Sequence, residues 1–440
     1  LRIITLSLAL LFLFLPASSI SARTWYINSG GTGDAPTIQA GLDSAVAGDT
    51  VLVECGTYYE HDIVMKSAVT LRSATGDPAC VTIDAQQQGR VVYCTYAHHT
   101  TRIEGFTLTG GLVAGNHSGG GLYLYDSARP RLAHLVFHDN HVGAGVEGYG
   151  GGMAATWGSQ VHLVDAVFTG NSAGEGGGLY YSEGNIIRLT DVVFTNNASR
   201  FAGGGLAYDV TDTAFLDNVS FIENTSDASG GGMYCSFVEY DHIISDCLFE
   251  GNTCGGYGGG AFVYCDDAEF HNCTFVQNNA EYGGGMGCDW YIGPDLYSCT
   301  FYGNHATHGC CLAGYYYGSF GIYNSILAYG TGGACLYSYY PPAAECFALS
   351  CCDIFGNEGG DWVGVVAQLG IRGNIHTCPA FCNIAAAPYD LHLCDESPCA
   401  PGNHPGGYDC GLIGAWDVGC ACGPTTTEPT TWGRVKAMYK

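Results

Sequence analysis

The chain has 440 residues, a formal charge of −27 from 14 basic and 41 acidic side chains, and 23 cysteines. So acidic a surface argues against a nucleic-acid partner, which needs basic side chains against its phosphates. It also repels a polyanionic polysaccharide unless divalent cations bridge the two.

At the N-terminus, Arg2 precedes an apolar run from Ile3 to Leu15, then Pro16 and small residues. This is the pattern of a secretory signal peptide over residues 1–22, cleaved near Ser19 to Ala22 and too short to span a membrane. No later run reaches eighteen apolar residues. Residues 35–47 then predict an amphipathic helix with Ile38, Leu42, Ala45 and Val46 on one face. Val51 to Val53 predict a buried strand, and weaker strands follow at Val69–Leu71, Val81–Ile83, Val91–Val92 and Ile103–Phe106.

From Gly119 the chain repeats itself. Glycine triplets open at Gly119, Gly150, Gly176, Gly203, Gly230, Gly258 and Gly283, each followed by an apolar residue. A Phe-x-x-Asn signature runs at the same period: Phe137, Phe168, Phe194, Phe221, Phe249, Phe275 and Phe301, paired with Asn140, Asn171, Asn197, Asn224, Asn252, Asn278 and Asn304. Two signals sharing one period define a unit stacked on itself, a solenoid.

The columns of the repeat predict its coil. Leu132, Leu163, Leu189, Leu216, Ile244, Phe270 and Leu296 stand five residues before each Phe. Leu135, Ala166, Val192, Val219, Cys247, Cys273 and Cys299 stand two before it, with a polar column (His134, Asp165, Asp191, Asn218, Asp246, Asn272, Ser298) between them. Apolar offsets of −5, −2 and 0 fit two short strands joined by a corner, where Asp and Asn bond local backbone. A third strand follows the glycines, with Leu122 and Leu124 inward and Tyr123 and Tyr125 outward. The expectation is an all-β, right-handed parallel β-helix of eleven or twelve rungs over residues 23–357, its first rung covered by the helix at 35–47. The asparagines are expected to form a buried amide ladder rather than face a ligand.

After Asn304 the period decays, with Gly309-Cys310-Cys311 in place of a triplet and Ile354 to Asn357 as a late rung. Residues 358–423 predict a cysteine-rich C-terminal cap, and 424–440 a Pro/Thr linker with a short basic tail. The cysteines imply disulfides in an oxidising compartment. Cys378 with Cys382, Cys394 with Cys399, and Cys410 with Cys420 or Cys422 are the expected staples. Cys247, Cys273 and Cys299 are expected to serve as small apolar filler first and as bonded pairs second. No paired C-x-x-C knuckle supports a zinc site, and no metal or cofactor is expected.

The pairing of Gly-Gly-Gly-[Leu/Met/Ala] with Phe-x-x-Asn resembles the repeat of chlamydial polymorphic outer-membrane proteins, which are β-helical adhesin passengers. No alternating membrane strands of an autotransporter barrel follow it here. The stretch from Thr37 to Ala45 with Gly48-Asp-Thr-Val-Leu-Val53 and Gly56-Thr-Tyr58 resembles the N-terminal cap of the pectin-lyase-like superfamily. Asp390 to Leu393, Ser397-Pro-Cys399 and Cys410 to Gly414 are similar to bacterial secreted β-helix repeat proteins, whose sorting tails resemble residues 431–440.

That superfamily includes lyases, glycosidases and esterases, yet its catalytic patterns are missing. Asp266 and Asp267 are adjacent, so on a strand they face opposite ways and cannot flank one glycosidic bond. A partner from a neighbouring rung, such as Asp289 or Glu239, would be required. His98-His99 reads as a solvated rung edge. The outward column Tyr123, Ala154, Tyr180, Ala207, Tyr234, Phe262 and Gly287 places aromatic rings roughly every 10 Å at a rung spacing of ~4.8 Å. Tyr123, Tyr180, Tyr234 and Phe262 are therefore the candidate sites for a neutral glycan. The function expected is a secreted or cell-surface, adhesin-like scaffold that binds a polysaccharide or surface glycan. The alternative is a carbohydrate-active enzyme, a polysaccharide lyase or glycoside hydrolase.

Overall fold

The computed structural model describes residues 21–422 except 116, 144–147, 239–241, 265–267, 290–292, 341 and 386, with 185, 210–212 and 238 described by backbone alone. Residues 1–20 of the expected signal peptide, the expected Pro/Thr linker and tail, and the candidates Glu239, Asp266 and Asp267 lie outside the described residues.

The chain winds as a right-handed parallel β-helix of ~14 turns, more than the eleven or twelve expected. The strand Thr24–Ile27, which carries neither repeat signature, is not among the strands expected from the sequence. Thr24–Ile27 pairs in register with Thr50–Val53, which pairs in turn with Thr70–Ser73. Plain alternation of buried and half-exposed residues suffices to hold these rungs.

Each repeat circuit has four short strands rather than three. The segment after each asparagine forms a ladder of its own from Leu112–Val113 through Ala198–Ala202 to Thr331–Gly332. Its strands are mostly two to five residues long, so alternation is too brief to leave a sequence signal.

The inward files are those expected. Leu132, Leu163, Leu189, Leu216, Ile244, Phe270 and Leu296 are each other's register partners on successive rungs, and all are buried. The phenylalanine rings stack face to face at 4.4–5.1 Å from Phe137 to Phe301. The polar column sits at the corner with φ of +52 to +56°, a left-handed conformation that Asp and Asn tolerate best. Its side chains do not bond local backbone as expected. They bond the corner residue of an adjoining rung: Asn218 Nδ2 donates to Asp191 at 2.5 Å, and Asn272 Nδ2 to Asp246 at 3.1 Å.

The asparagines form a continuous ladder at 0–1% exposure. From Asn140 to Asn278, Nδ2 donates to the Oδ1 of the next asparagine at 2.9–3.1 Å and to a main-chain carbonyl at 2.8–2.9 Å, and Asn304 donates to the Phe275 carbonyl. From Asn171 on, each Oδ1 also accepts the main-chain N–H of the asparagine before it. Every polar atom of the interior amides is thereby satisfied.

The glycines make room for this contact. Gly203 has φ +59°, and a Cβ on Gly204 would lie 2.3 Å from the Gly231 carbonyl oxygen. One glycine supplies the dihedral and the other two supply the close approach.

The capping helix is Ile38–Ser44, with the Thr37 hydroxyl accepting from Ala40 N and the Glu60 carboxylate receiving the N–H groups of Ile38 and Gln39. Ile38, Leu42 and Ala45 are buried, but Val46 is 45% exposed because the chain turns extended at Ala45 before helical period can carry it inward.

The cysteine-rich segment folds back along the flank of the solenoid. Trp416 Nε1 donates to Thr274 Oγ1, Ala415 N donates to Thr300 Oγ1, and Leu391 packs with Val276 and Tyr302. Its disulfides are Cys351–Cys410, Cys382–Cys420 and Cys394–Cys422, with Cys55–Cys80 near the N-terminus. The expected pairs Cys378–Cys382 and Cys394–Cys399 do not form. Cys399 is instead buried against Asp353, Cys378 lies against the Tyr329 hydroxyl, and Cys410 bonds Cys351. Cys247, Cys273 and Cys299 are unbonded and buried, each thiol donating to main-chain carbonyls as a serine would.

Two stability predictions follow from these contacts. Phe221→Ala should cost ~3–5 kcal/mol by opening a void between two stacked rings. Asn224→Asp should destabilise comparably, because a carboxylate oxygen would then face the carbonyl of Phe194 and the Oδ1 of Asn252. Denaturant midpoints measure both.

A third concerns pH. Asp353 is fully buried where the last rung meets the flanking segment, accepting from Thr377 N at 3.1 Å and the Cys399 thiol at 3.3 Å, with His376 and Asp361 near it. Burial pushes its carboxyl up from 3.8 to about 7. The folded chain then holds a proton that the unfolded chain has released, so stability falls as pH rises from about 4 to about 7 and levels above that. The loss has an upper bound of about 4 kcal/mol, and Asp353→Asn should flatten the slope in urea titrations across that range.

Candidate functional site

The four sequence candidates lie on one outward column, yet none presents a free ring face. The Arg90 guanidinium covers Tyr123 at 4.9 Å from the ring centre, held there by the carbonyls of Ser118 and Gly119. Tyr180 is 7% exposed beneath Tyr149, whose ring lies 4.4 Å away. Tyr234 stacks on Phe262 at 5.7 Å, and Phe262 is 7% exposed against Tyr257. The physical reason is the fourth ladder. It brings the residue before each glycine triplet, Tyr149 or Tyr257 among them, over the column that three-strand geometry had left open.

Exposed aromatic surface occurs further along, where the period decays. Tyr257, Tyr282, His308 and Tyr337 stack along the axis at 4.8–4.9 Å, one ring per rung. Rings stacked this way cover one another's faces and offer only edges. Beside them run the strands Leu312–Tyr316 and Leu336–Tyr340. Their C-terminal ends carry Tyr316, Tyr317, Tyr339 and Tyr340 at 39–52% exposure. Tyr316 meets Tyr339 at 76° and Tyr317 meets Tyr340 at 88°, so faces as well as edges look outward. Tyr315 braces them, lying 5.0 Å from both Tyr257 and Tyr339.

The chain that follows each pair of these rim tyrosines contributes to the wall of a cleft of about 610 Å³, although the tyrosines themselves do not line it. Ser319, two residues beyond Tyr317, lines it, as does the segment from Ala344 to Leu349 after Tyr340. Asp295, Tyr323, Glu345 and Arg372 supply its polar groups. Gly321 keeps space beside Asp295, since a Cβ there would lie 2.0 Å from a carboxylate oxygen. Gln368 is committed to the scaffold, donating to Phe347 O and accepting from Leu349 N.

Asp295 continues outward as a second aromatic file. Tyr297 donates to its carboxylate at 3.1 Å, and His271, Tyr297 and Tyr323 stack at 4.8 and 5.0 Å. Desolvation, with the Asp295 charge behind it, pushes the Tyr297 hydroxyl up to about 12, so it stays a hydrogen-bond donor at neutral pH. Glu269, on the rung before Asp295, bonds His271 at 2.9 Å. Arg372 makes no ion pair among the described residues. The cleft thus offers two carboxylates, a cation and the phenolic hydroxyl of Tyr323.

The other sequence candidates contribute little. His98 and His99 are exposed as expected, although their rings touch at 3.9 Å because they occupy a turn rather than a strand. Asp289 is half-buried and does not line the cleft. Among the described residues, the one group of possible metal ligands is Cys394, Asp395 and Cys422, and its two sulfurs are bonded to each other. No helix among the described residues is long and apolar enough to cross a membrane. The rim was visible in the sequence as Tyr315-Tyr-Tyr317 and Tyr337-Ser-Tyr-Tyr340, but these fall outside the repeat columns and carried no positional meaning there.

Burial separates the two tyrosine groups experimentally. Tyr180→Ala should cost roughly 2–4 kcal/mol of stability, whereas Tyr316→Ala and Tyr340→Ala should stay within about 0.5 kcal/mol of the parent. Chemical unfolding of the three variants checks this.

No protein-family model matches the chain, and no curated protein matches it. Among solved structures, the crystal structure of pectate lyase Pel9A is similar, with a TM-score of 0.47 and 11% sequence identity over 91% of this chain and 98% of that one. A similarity of this size concerns the path of the backbone and says nothing of the residues that line the cleft.

Proposed function

We propose that the chain is an extracellular β-helix that binds a polysaccharide at the tyrosine rim and the cleft, serving as a surface-binding, adhesin-like scaffold. The observation that carries this reading is the set of four half-exposed tyrosines, joined through the chain that follows them to segments lining a polar cleft. Flat amphipathic rings suit the apolar faces of sugars, and a few convergent polar groups suit their hydroxyls. A formal charge of −27 favours a neutral glycan over a polyanion. The four disulfides support an oxidising, extracellular setting.

A second reading is a polysaccharide-cleaving enzyme. It is favoured by one observation: Asp295, Glu345 and Arg372 share the cleft, which provides candidate acid, base and charge-stabilising groups.

Retention on a panel of neutral oligosaccharides tests the first reading. Replacing both Tyr316 and Tyr339 with Ala should weaken the best ligand at least about tenfold, as loss of two aromatic platforms does. Unchanged retention would remove the rim from the function. Assay of the same mixtures for reducing ends and unsaturated sugars decides between scaffold and enzyme. Product release that disappears in Asp295→Asn would put the second reading first.

A further inference from the structure

Where the repeat decays, two of its rules fail together. The glycine triplet becomes Gly309-Cys310-Cys311, and the next rung has Ala334-Cys335. One position in the asparagine file becomes Gly330. The two changes compensate in space. A Cβ on Gly330 would lie 2.4 Å from Cys310 Sγ, so a thiol occupies the volume that a side chain there would need. Asn357 Oδ1, one rung further, accepts from Gly330 N and from the thiols of Cys310 and Cys311. Cys310, Cys311 and Cys335 are fully buried and interact with one another.

Cys311 and Cys335 face each other across adjacent rungs. Cys311 N donates to Cys335 O at 3.1 Å, and the residues that follow them, Leu312 and Leu336, are register partners. Parallel neighbours stand ~4.8 Å apart, inside the Cα range of a disulfide. The same relation is already bonded elsewhere in this fold. Cys55 and Cys80 directly precede the register partners Gly56 and Val81, and their Cα atoms are 4.6 Å apart. Both cysteines of the later pair open the strands that carry the rim, Leu312–Tyr316 and Leu336–Tyr340.

We propose that Cys311 and Cys335 form a rung-to-rung disulfide in the exported protein and that it clamps together the two strands bearing Tyr316, Tyr317, Tyr339 and Tyr340. In the structure the three sulfurs are thiols. Closure removes one proton and one electron from each of Cys311 and Cys335 and joins their sulfurs. The two electrons pass to a disulfide-bearing oxidant, such as oxidised glutathione or a thiol oxidase, which leaves as two thiols. Cys310 keeps its proton donor role toward Asn357. Because the site is buried, oxidation belongs to folding, before the rungs close over it. The crosslink itself is independent of what the rim binds; only its consequence for the rim rests on the proposed function.

Peptide mapping of the full chain, exported to an oxidising compartment, tests the crosslink. Free thiols are blocked with N-ethylmaleimide in denaturant at low pH, and a peptic digest is analysed without reduction. The expected result is a linked pair joining the Cys311 and Cys335 peptides, with the maleimide on Cys310. Maleimide on both Cys311 and Cys335, or either one linked to another cysteine, would overturn the proposal. Cys335→Ser should in addition lower the thermal midpoint and weaken glycan retention severalfold in oxidised samples. A lowered midpoint with no oligosaccharide bound by the parent would sink the glycan reading while leaving the clamp standing. An unchanged midpoint would remove the clamp.

Discussion

Backbone lies on backbone, with almost no side chain between, wherever the glycine triplets of successive rungs meet. At Gly231 a Cβ would stand 2.4 Å from the carbonyl oxygen of Gly259, and the same holds along the file. That contact is what allows the neighbouring asparagine amides to reach each other at 2.9–3.1 Å and to satisfy one another's donors and acceptors inside the coil. Inward polar side chains are normally costly. Here the cost is offset because each amide serves as the partner of the next, and each rung therefore specifies the height and rotation of its neighbour. The phenylalanine stack beside it adds apolar area in the same register.

A coil determined so strictly from within leaves its outside free to vary, and the variation is graded along the axis. In the central rungs the outward column is roofed by Tyr149, Tyr257 and the short fourth ladder. Towards the C-terminal rungs the interior rules relax and side chains project: the tyrosine rim, the carboxylates of Asp295 and Glu345, and the Arg372 guanidinium. The flanking segment, tied by Cys351–Cys410 and by Trp416 to Thr274, closes the adjoining face. Regular packing thus holds an irregular site, as loops on a rigid scaffold do elsewhere.

Cysteine plays three separate parts in this framework. In the flank it staples chain that has little regular structure of its own. In the file of Cys247, Cys273 and Cys299 it acts as a small side chain whose thiol bonds main-chain carbonyls. At Cys310, Cys311 and Cys335 it replaces glycine and compensates for a missing asparagine. Composition alone cannot tell these apart, since all three are cysteines of one chain.

The amino-acid sequence by itself determined the winding, the identity of every inward file from Leu132 to Leu296 and from Phe137 to Phe301, and the burial of the asparagine ladder. These are matters of period, and a repeated offset is a distance along the chain that stacking converts directly into contact. What faces outward was decided only by the tertiary structure. Tyr180 and Phe262 are covered by Tyr149 and Tyr257, whose single-residue bridges leave no periodic mark, and Asp353 is buried by a segment tens of residues away. The disulfide partners of Cys351 and Cys382 lie 59 and 38 residues distant, beyond any local pairing rule. The rim and cleft belong to the same class, because they arise where repetition stops and position in the sequence no longer implies position in space.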